Sequence, residues 1–253
     1  MNRHKLTVSV ITHNEEANIG ECLQGVKWAD EIIVVDSESS DNTVAIAREH
    51  TDKVFVNPWP GYRDQKNYAL ERASNPWVLS LDADERIPPE TRDFILKELA
   101  APAFDAYRFP RRNFFLGKWL RHGGWYPDHV LRLFRKDKGR FGGLNLHEKV
   151  LLDSGKVGTA PVPIIHYTYK SLAQYVSKQN LYSSLAAAEK ARSGGSAGRA
   201  APFGALLRAI WKFIEVYVLK RGFLDGPHGL VAAVGAAYAS FSKYTKIWEM
   251  KKR

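Results

Sequence analysis

The chain has 253 residues, of which 45% are hydrophobic and 25% charged, so it is long enough to bury a substantial core and has the composition of an ordinary folded protein. Its formal net charge is +10, and its single cysteine, Cys22, excludes an intramolecular disulfide framework and fits a reducing compartment. No cleavable apolar leader is visible, and the longest nearly apolar stretch, 229–241, is too short to span a bilayer, so we expect a cytoplasmic protein.

The first hundred residues alternate short β-branched runs with segments of helical periodicity. This alternation predicts right-handed βαβ units and a mostly parallel sheet flanked by helices, which is an α/β fold. No glycine-rich dinucleotide-binding or P-loop motif is present in the sequence. The predicted strands are 7–12, 31–36, 53–57 and 77–81, and the predicted helices are 16–25, 43–49, 63–73 and 90–99.

Polar clusters follow three of these strands. Asp82 and Asp84 come directly after the run 77–81, Asp36 ends the run 31–36, and the first strand continues into His13-Asn14-Glu15-Glu16. Ligands of open α/β sheets bind beyond the carboxyl ends of the strands, so we expect Asp36, Asp82 and Asp84 to converge on one ligand. Two carboxylates suit a hard cation such as Mg²⁺ that also binds substrate phosphates. The alternative is a solvated turn at the end of the strand.

Residues 104–165 differ in character, because aromatic residues, arginines and glycines cluster in what we interpret as loops and short strands. Aromatic rings pack on the apolar faces of sugars, and arginines bind phosphate or carboxylate through two hydrogen bonds. The alternative is an aromatic-rich edge of the core. The spacing of Arg132 and Arg135 fits either a strand or a helix.

The chain is helical and basic after residue 169. Residues 170–253 contain 14 lysines and arginines against four acidic residues, whereas the preceding 169 residues contain 23 of each. We predict helices at 172–192 and 205–221, separated by a flexible break at 193–198. The second helix has an apolar stripe that can dock on the core or lie in a membrane interface. Trp211, taken alone, is expected in the core, but the basic and aromatic tail favours a membrane-facing role.

At this point three motifs resemble glycosyltransferase family 2. They are Ser9-Val10-Ile11-Thr12-His13-Asn14-Glu15-Glu16, then Val34-Val35-Asp36-Ser37-x-Ser39-x-Asp41-x-Thr43, then Asp82-x-Asp84 after a strand. Later segments resemble the subgroup of lipopolysaccharide inner-core β-1,4-glucosyltransferases, so the resemblance covers almost the whole chain. These segments are Gly123-Gly124-Trp125-Tyr126-Pro127-Asp128, Arg132-Leu133-Phe134-Arg135, His147-Glu148 and Lys220-Arg221-Gly222-Phe223-Leu224-Asp225-Gly226.

The resemblance implies a GT-A fold and an inverting transfer of a hexose, glucose from UDP-glucose, to a lipid-linked saccharide at the inner face of the inner membrane. Residues 1–168 would form the GT-A domain, with a nucleotide-sugar half at 1–103 and an acceptor half at 104–168. Residues 169–253 would form a basic helical extension associated with the membrane or the acceptor. The expected partners are a UDP-sugar, an anionic acceptor and a membrane surface, without nucleic acid.

The resemblance also implies roles for individual residues. Thr12, Asn14 and Glu15 would line the nucleotide pocket, and Asp36 would contact the uridine. Asp82 would bind the ribose or a metal, and Asp84 would bind the divalent metal, Mg²⁺ or Mn²⁺, that bridges the two phosphates. His166 either completes the metal shell or is a core histidine.

Inversion in a single displacement also requires one carboxylate base in the acceptor half. Glu148 is the favoured candidate and Asp128 the second. Arg132 and Arg135 are candidates for binding the diphosphate or an anionic acceptor, and Trp125 is a candidate for the acceptor site. For Asp128 the alternative is a turn residue after Pro127.

Three other functions fit parts of the sequence. A nucleotidyltransferase would have a glycine-rich stretch where this chain has His13-Asn14-Glu15-Glu16, which argues against it. A related glycosyltransferase could act on a peptide or protein side chain instead of a saccharide. A nucleic-acid-binding protein would explain the pI of about 9.6 but not the acidic strand ends.

Overall fold

The computed structural model describes residues 3–143, 148–192 and 202–252, so the predicted break at 193–198 lies outside the described residues. The chain divides into two compact units. The first unit contains residues 1–111 and 128–166, and the second contains residues 112–127 and 167–253. Over the described ranges, no helix combines the length and the apolar composition that a membrane span requires.

The first unit begins with the predicted alternation of strands and helices. All four predicted strands and all four predicted helices are present, and their ends lie within one or two residues of the predicted ones. The strands are β1 (Leu6–Thr12), β2 (Glu31–Asp36), β3 (Val54–Val56) and β4 (Trp77–Asp82), followed by the short β5 (Glu85–Arg86). The helices are α1 (Glu16–Gln24), α2 (Thr43–Arg48), α3 (Tyr62–Arg72) and α4 (Pro89–Ala100).

The segment from residue 106 onward is more regular than predicted. Our expectation of loops and short strands is wrong for β6 and β8, which have ten and eight residues. In β6 the buried Phe109 alternates with the exposed Arg108, so the strand has no continuous apolar run that would reveal it. The strands are β6 (Ala106–Phe115), β7 (Lys118–Trp119), β8 (Asp128–Arg135), β9 (Gly139–Gly142), β10 (Lys149–Leu152), β11 (Val157–Thr159) and β12 (Ile164–Tyr169).

The main sheet is mixed, in the order β3-β2-β1-β4-β8-β6-β12-β5, and its first four strands are parallel. From β4 onward the pairs β4–β8, β8–β6 and β12–β5 are antiparallel. The short strands β7 and β11 pair with β6, and β9 and β10 form a separate hairpin. The predicted α/β class is confirmed, with a run of four parallel N-terminal strands and one further parallel pair, β11–β6.

The central strands are buried on both faces, as parallel strands covered by helices usually are. On one face Val8 and Val10 belong to the same core as Ile19 of α1 and Ile95 of α4. On the other face Ile33 and Val35 pack with Ala69 and Leu70 of α3. Cys22 belongs to the first core, as predicted, and burial raises the pKa of its thiol to about 12.

The second unit contains three long helices, of which α5 and α6 both pack against α7. A helix was predicted at 205–221, but the α-helical part ends at Ile214 and is followed by a π-helical turn. The helical path is interrupted at Arg221, whose φ of 56° is left-handed. Gly229 permits a close crossing, because an added Cβ would lie 1.9 Å from the carbonyl oxygen of Gly222. The helices are α5 (Leu172–Arg192), α6 (Pro202–Ile214) and α7 (Pro227–Lys252), with a π-helical turn at Glu215–Leu219 and a 3₁₀ turn at Gly222–Asp225.

Helix α6 buries its small residues and exposes its large ones. Ala205 and Ala209 are buried, whereas the indole of Trp211 is 60% exposed. The expectation that Trp211 lies in the core is therefore wrong. Because α6 packs against α7 and its buried residues are alanines, we infer a close helix approach that leaves the bulky side chains on the opposite face.

Candidate active site

The register of the parallel strands brings three predicted site residues to one edge of the sheet. Thr12 at the end of β1 pairs with Asp36 at the end of β2. On the other side of β1, Ile11 pairs with Asp82 at the end of β4. Asp84 follows two residues after Asp82, and the register thus puts the ends of β1, β2 and β4, with Asp36 and Asp82, at the same edge of the sheet.

The loops after β1 and β2 are joined by hydrogen bonds. The backbone N–H of Asn14 donates to Ser39 Oγ at 2.8 Å, and the N–H of Ser40 donates to Asn14 Oδ1 at 2.8 Å. The N–H of Glu15 donates to Thr43 Oγ1, also at 2.8 Å. Asn14 has a φ of 52°, a left-handed conformation that asparagine tolerates. The predicted nucleotide-binding residues Asn14 and Glu15 therefore belong to one ordered two-loop structure.

The carboxylate of Asp36 binds the second of these loops at Ser39. Its side chain is completely buried and accepts hydrogen bonds from both the N–H and the hydroxyl of Ser39. Thr12 is also buried, and its hydroxyl has no hydrogen-bond partner in the part of the chain that the structure describes. In the observed conformation, Asp36 shapes the loop at 37–40 and is not itself exposed to solvent.

Helix α3 supplies two site residues that the sequence analysis did not identify. Gln65 Nε2 donates to Ser37 Oγ at 2.9 Å. Lys66 Nζ lies 3.1 Å from Asp82 Oδ1 and 2.8 Å from Glu148 Oε1. The Lys66 side chain is only 3% exposed. A lysine on the buried stripe of an amphipathic helix, beside Ala69 and Leu70, was the signal that could have revealed it.

Arginines extend this ion pairing across the neighbouring strands. Arg132 of β8 donates to Asp82 and, at 2.6 Å, to the fully buried Glu85. Arg111 of β6 lies 3.5 Å from Glu85 and 2.6 Å from Asp128. The result is a charge chain in which carboxylates and cations alternate, defined by Glu148, Lys66, Asp82, Arg132, Glu85, Arg111 and Asp128.

Neighbouring charges in the charge chain shift the pKa values of Asp82 and Arg132 so that both groups stay ionised. Burial alone would raise the pKa of the Asp82 carboxyl, but the positive charges of Arg132 and Lys66 outweigh it and hold that pKa well below its usual range. Burial opposes the charge of Arg132 as well, yet the carboxylates of Asp82 and Glu85 raise its pKa. Four carboxylates and three cations leave the charge chain with one excess negative charge, so the edge of the sheet suits a further cation.

Asp84 and His166 form a separate pair beside the charge chain. His166 Nε2 lies 3.5 Å from Asp84 Oδ2, and both side chains are largely buried. The position of His166 follows from the sheet, because β12 pairs with β5 with His166 opposite Glu85. From the sequence, His166 could be either a metal ligand or a core histidine. In the structure it lies next to Asp84, the predicted metal ligand.

The donors at this pair are compatible with a divalent metal. A carboxylate oxygen and an imidazole nitrogen are both common ligands, and Mg²⁺-type ions usually keep several positions for substrate phosphates and water. Among the described residues, no group of three or more His, Cys, Asp or Glu side chains has metal-binding geometry. The carboxylate of Asp82 is engaged by Lys66 and Arg132. Asp84 and His166 are thus the two candidate ligands at this position.

Two other predicted residues, Arg135 and Trp125, contact other groups. Arg135 is three residues from Arg132 on a strand, so its side chain points to the opposite face, and it pairs with the nearby Asp137. It also faces Trp77, at the beginning of β4, whereas Asp82 lies at the end. Trp125 belongs to the second unit, where its ring lies 5.6 Å from that of Phe115.

The mixed sheet is flanked by helices and has acidic groups at the carboxyl ends of its parallel strands. This is the architecture of a GT-A-type glycosyltransferase. The profile of the family described as glycosyl transferase family 2 matches residues 7–151, and the chain belongs to that family. Our predictions of the family, the fold and a glycosyltransferase activity are confirmed.

Several known proteins are similar to this one over nearly the whole length of the chain. An uncharacterized glycosyltransferase of Rickettsia typhi is 32% identical over 97% of this chain and 87% of its own length. The lipopolysaccharide core biosynthesis glycosyltransferase LpsC of Rhizobium meliloti is 30% identical over 96% of this chain and 92% of its own length. The mannosyltransferase PcManGT of Pyrobaculum calidifontis, solved with GDP-Man and Mn²⁺, covers 95% of this chain and 74% of its own, with 20% identity and a TM-score of 0.51, which shows a shared fold.

Proposed function

We propose that the protein is an inverting hexosyltransferase that moves glucose from UDP-glucose to the inner core of a lipopolysaccharide or to a related lipid-linked saccharide. The observation that carries this proposal is the Asp84–His166 pair beside the charge chain, at the carboxyl ends of β1, β2 and β4. The Rhizobium relative LpsC is a lipopolysaccharide core biosynthesis glycosyltransferase, which supports this choice of acceptor.

The donor nucleotide binds across the two joined loops in this proposal. Thr12, Asn14 and Glu15 line the pocket, and Asp36 holds the loop that contacts the uridine. Asp82 contacts the ribose or the metal, while its partners Lys66 and Arg132 provide positive charge for the diphosphate. The unused hydroxyl of buried Thr12 supports the assignment, because buried polar atoms normally have partners.

Asp84 and His166 hold a divalent metal, Mg²⁺ or Mn²⁺, in this proposal. When bound, the ion supplies positive charge that stabilises the departing diphosphate. Two protein ligands suit a site in which substrate oxygens complete the shell. The presence of Mn²⁺ in the mannosyltransferase that shares this fold agrees with the proposal.

Glu148 is the proposed base, because inversion needs one carboxylate to accept the proton of the attacking hydroxyl. Its side chain is 17% exposed and its Oε1 atom lies 2.8 Å from the Lys66 ammonium. Asp128 is the second candidate, but Arg111 donates to its Oδ2 atom through two nitrogens, at 2.9 and 2.6 Å. A carboxylate bound to a permanently charged guanidinium is a poorer proton acceptor, which favours Glu148.

The acceptor in this proposal is anionic and membrane-linked. The N-terminal half at 1–103 handles the donor, residues 104–168 handle the acceptor, and the basic region 169–253 associates with the inner face of the membrane. Arg132 is proposed to bind phosphate or carboxylate groups, and Trp125 is proposed to stack on a sugar of the acceptor. A peptide or protein acceptor is the alternative.

The test is a transfer assay with purified protein, Mn²⁺ or Mg²⁺, a panel of UDP- and GDP-sugars, and truncated lipopolysaccharide cores, with unrelated peptides as the alternative acceptors. We expect transfer from UDP-glucose to a lipopolysaccharide core, with a β-linkage in the product by NMR. Transfer only to peptides would show that the proposed acceptor is wrong. An α-linkage would contradict the inverting mechanism, and transfer of a different sugar would contradict glucose as the donor sugar.

A further inference from the structure

The strongest feature outside the active site is the outward face of α6. Six large apolar side chains recur there at spacings of three and four residues, which places them on one side of the helix within an arc of about 140°. The buried residues Ala205 and Ala209 lie on the opposite side. We define the α6 face by Phe203, Leu206, Leu207, Ile210, Trp211 and Ile214, which are 37–70% exposed.

Apolar exposure continues in the chain beyond α6. Leu219 is 61% exposed, and the 3₁₀ turn exposes Phe223 and Leu224 at 48% and 54%. Lys220 and Arg221 lie between them in the sequence and are exposed as well. Soluble monomers rarely expose so many large apolar side chains together, so this surface points to a binding partner.

The charge of the second unit restricts the kind of partner. Residues 112–127 and 167–253 contain 17 lysines and arginines against four acidic residues, a net charge of +13. The first unit has 20 lysines and arginines against 23 acidic residues, a net charge of −3. A second copy of the chain would bring like charges together at this surface, whereas an anionic lipid surface attracts them.

Helix α6 also carries two cations outside the α6 face. Arg208 lies between the exposed and the buried sides of the helix, and Lys212 lies nearer the buried side. The Arg208 guanidinium lies 4.6 Å from the ring centre of Tyr244, and Lys212 pairs with Glu215 at 2.6 Å. Helices that lie in the plane of a membrane interface typically have apolar residues with tryptophan on one face and lysine and arginine on the remaining sides.

We infer that the α6 face inserts into the interface of a bilayer that contains anionic lipid. This inference rests on the membrane-surface acceptor of the proposed function and assigns the contact to a defined face. The helix lies along the membrane surface, because its large apolar side chains occupy one side and its buried alanines the other. Its apolar side chains enter the acyl boundary, and the surrounding lysines and arginines bind lipid phosphates.

The test is co-sedimentation of the full chain with vesicles of phosphatidylcholine, with and without phosphatidylglycerol. The test variant is the double substitution Leu207→Ser and Trp211→Ser, which changes only exposed side chains. Trp59→Ser is the matched control, because Trp59 in the first unit is also an exposed tryptophan, at 49%. Quenching of tryptophan fluorescence by brominated lipid reports whether Trp211 enters the bilayer.

We expect the wild type and Trp59→Ser to bind vesicles that contain phosphatidylglycerol, and we expect the double variant to bind at least tenfold more weakly. Brominated lipid should quench the wild type but not the double variant. Equal binding by the double variant would overturn the inference. So would a dimer in sedimentation equilibrium that the same substitutions dissociate, because the face would then join two copies.

The failure of this inference is distinguishable from failure of the proposed function. UDP binding in solution, without lipid, should be equal in the wild type and the double variant. If the protein bound vesicles through the α6 face but did not bind UDP, the membrane inference would stand and the proposed UDP-sugar donor would be wrong.

Discussion

Lys66 Nζ lies 2.8 Å from Glu148 Oε1, although the two residues are 82 positions apart in the sequence. The same ammonium lies 3.1 Å from Asp82 Oδ1, so it connects the end of β4 to the proposed base. Helix α3 therefore sets the distance between the donor side of the site and Glu148. Because the Lys66 side chain is only 3% exposed, this ion pair is shielded from solvent and from salt.

We predict that Lys66→Met destabilises the protein and impairs transfer. The substitution leaves Glu148 without its cation and leaves Asp82 with Arg132 alone. Loss of one partner of a buried ion pair costs about 3 kcal/mol, which a urea unfolding curve detects as a lower midpoint. Lys97→Met, at an exposed position of α4, is the control and should leave the midpoint unchanged. An unchanged midpoint for Lys66→Met would refute the structural role of the pair.

We predict that Glu148→Gln lowers kcat by a factor of about 100 or more and leaves UDP binding intact, because a general base contributes to the chemical step and not to donor affinity. Asp128→Asn should have a smaller effect on kcat. The measurements are transfer kinetics and calorimetric titration with UDP. If Asp128→Asn abolished transfer and Glu148→Gln did not, the base would be Asp128.

We predict that Glu31 contributes to acid sensitivity. Burial alone would raise its pKa, but hydrogen bonds from Lys53, Thr7 and Ser74 lower it from 4.5 to about 2. A lowered pKa in the folded state stabilises the protein above about pH 4.5, and this contribution is lost as the pH falls towards about 2. Its full size is on the order of 3 kcal/mol.

Urea unfolding of Glu31→Gln at several pH values checks this prediction. We expect a lower stability than that of the wild type near neutral pH and a difference that shrinks below about pH 4. Glu49→Gln, at an exposed position after α2, should follow the wild type throughout. A constant difference between Glu31→Gln and the wild type at every pH would show that the Glu31 carboxyl has an ordinary pKa.

The strand-end residues could be predicted from sequence because two local rules locate them. Apolar β-branched runs give the strands, and parallel pairing brings their carboxyl ends to one edge, where Thr12, Asp36 and Asp82 are found. Lys66 and Glu85 could not be assigned in this way. Their roles depend on long-range ion pairs between α3, β4, β5 and β8, and no local pattern specifies which cation meets which carboxylate.

Two further differences have specific physical causes. Arg132 and Arg135 were grouped as one pair, but a spacing of three on a strand separates them onto opposite faces, and only Arg132 joins the charge chain. Trp211 was expected in the core because large apolar residues usually face inward. In α6 the alanines face inward instead, and periodicity alone identifies an apolar face without saying which side of the helix the protein covers.

The most direct test of the account is calorimetric titration of the purified protein with UDP, with and without Mn²⁺, repeated for Asp84→Ala and for Asp93→Ala as an exposed control. We predict UDP binding that requires the metal in the wild type and in Asp93→Ala, and that is lost in Asp84→Ala. Binding of UDP by Asp84→Ala with undiminished metal dependence would contradict the metal site. No binding of UDP to the wild type under either condition would contradict the proposed donor.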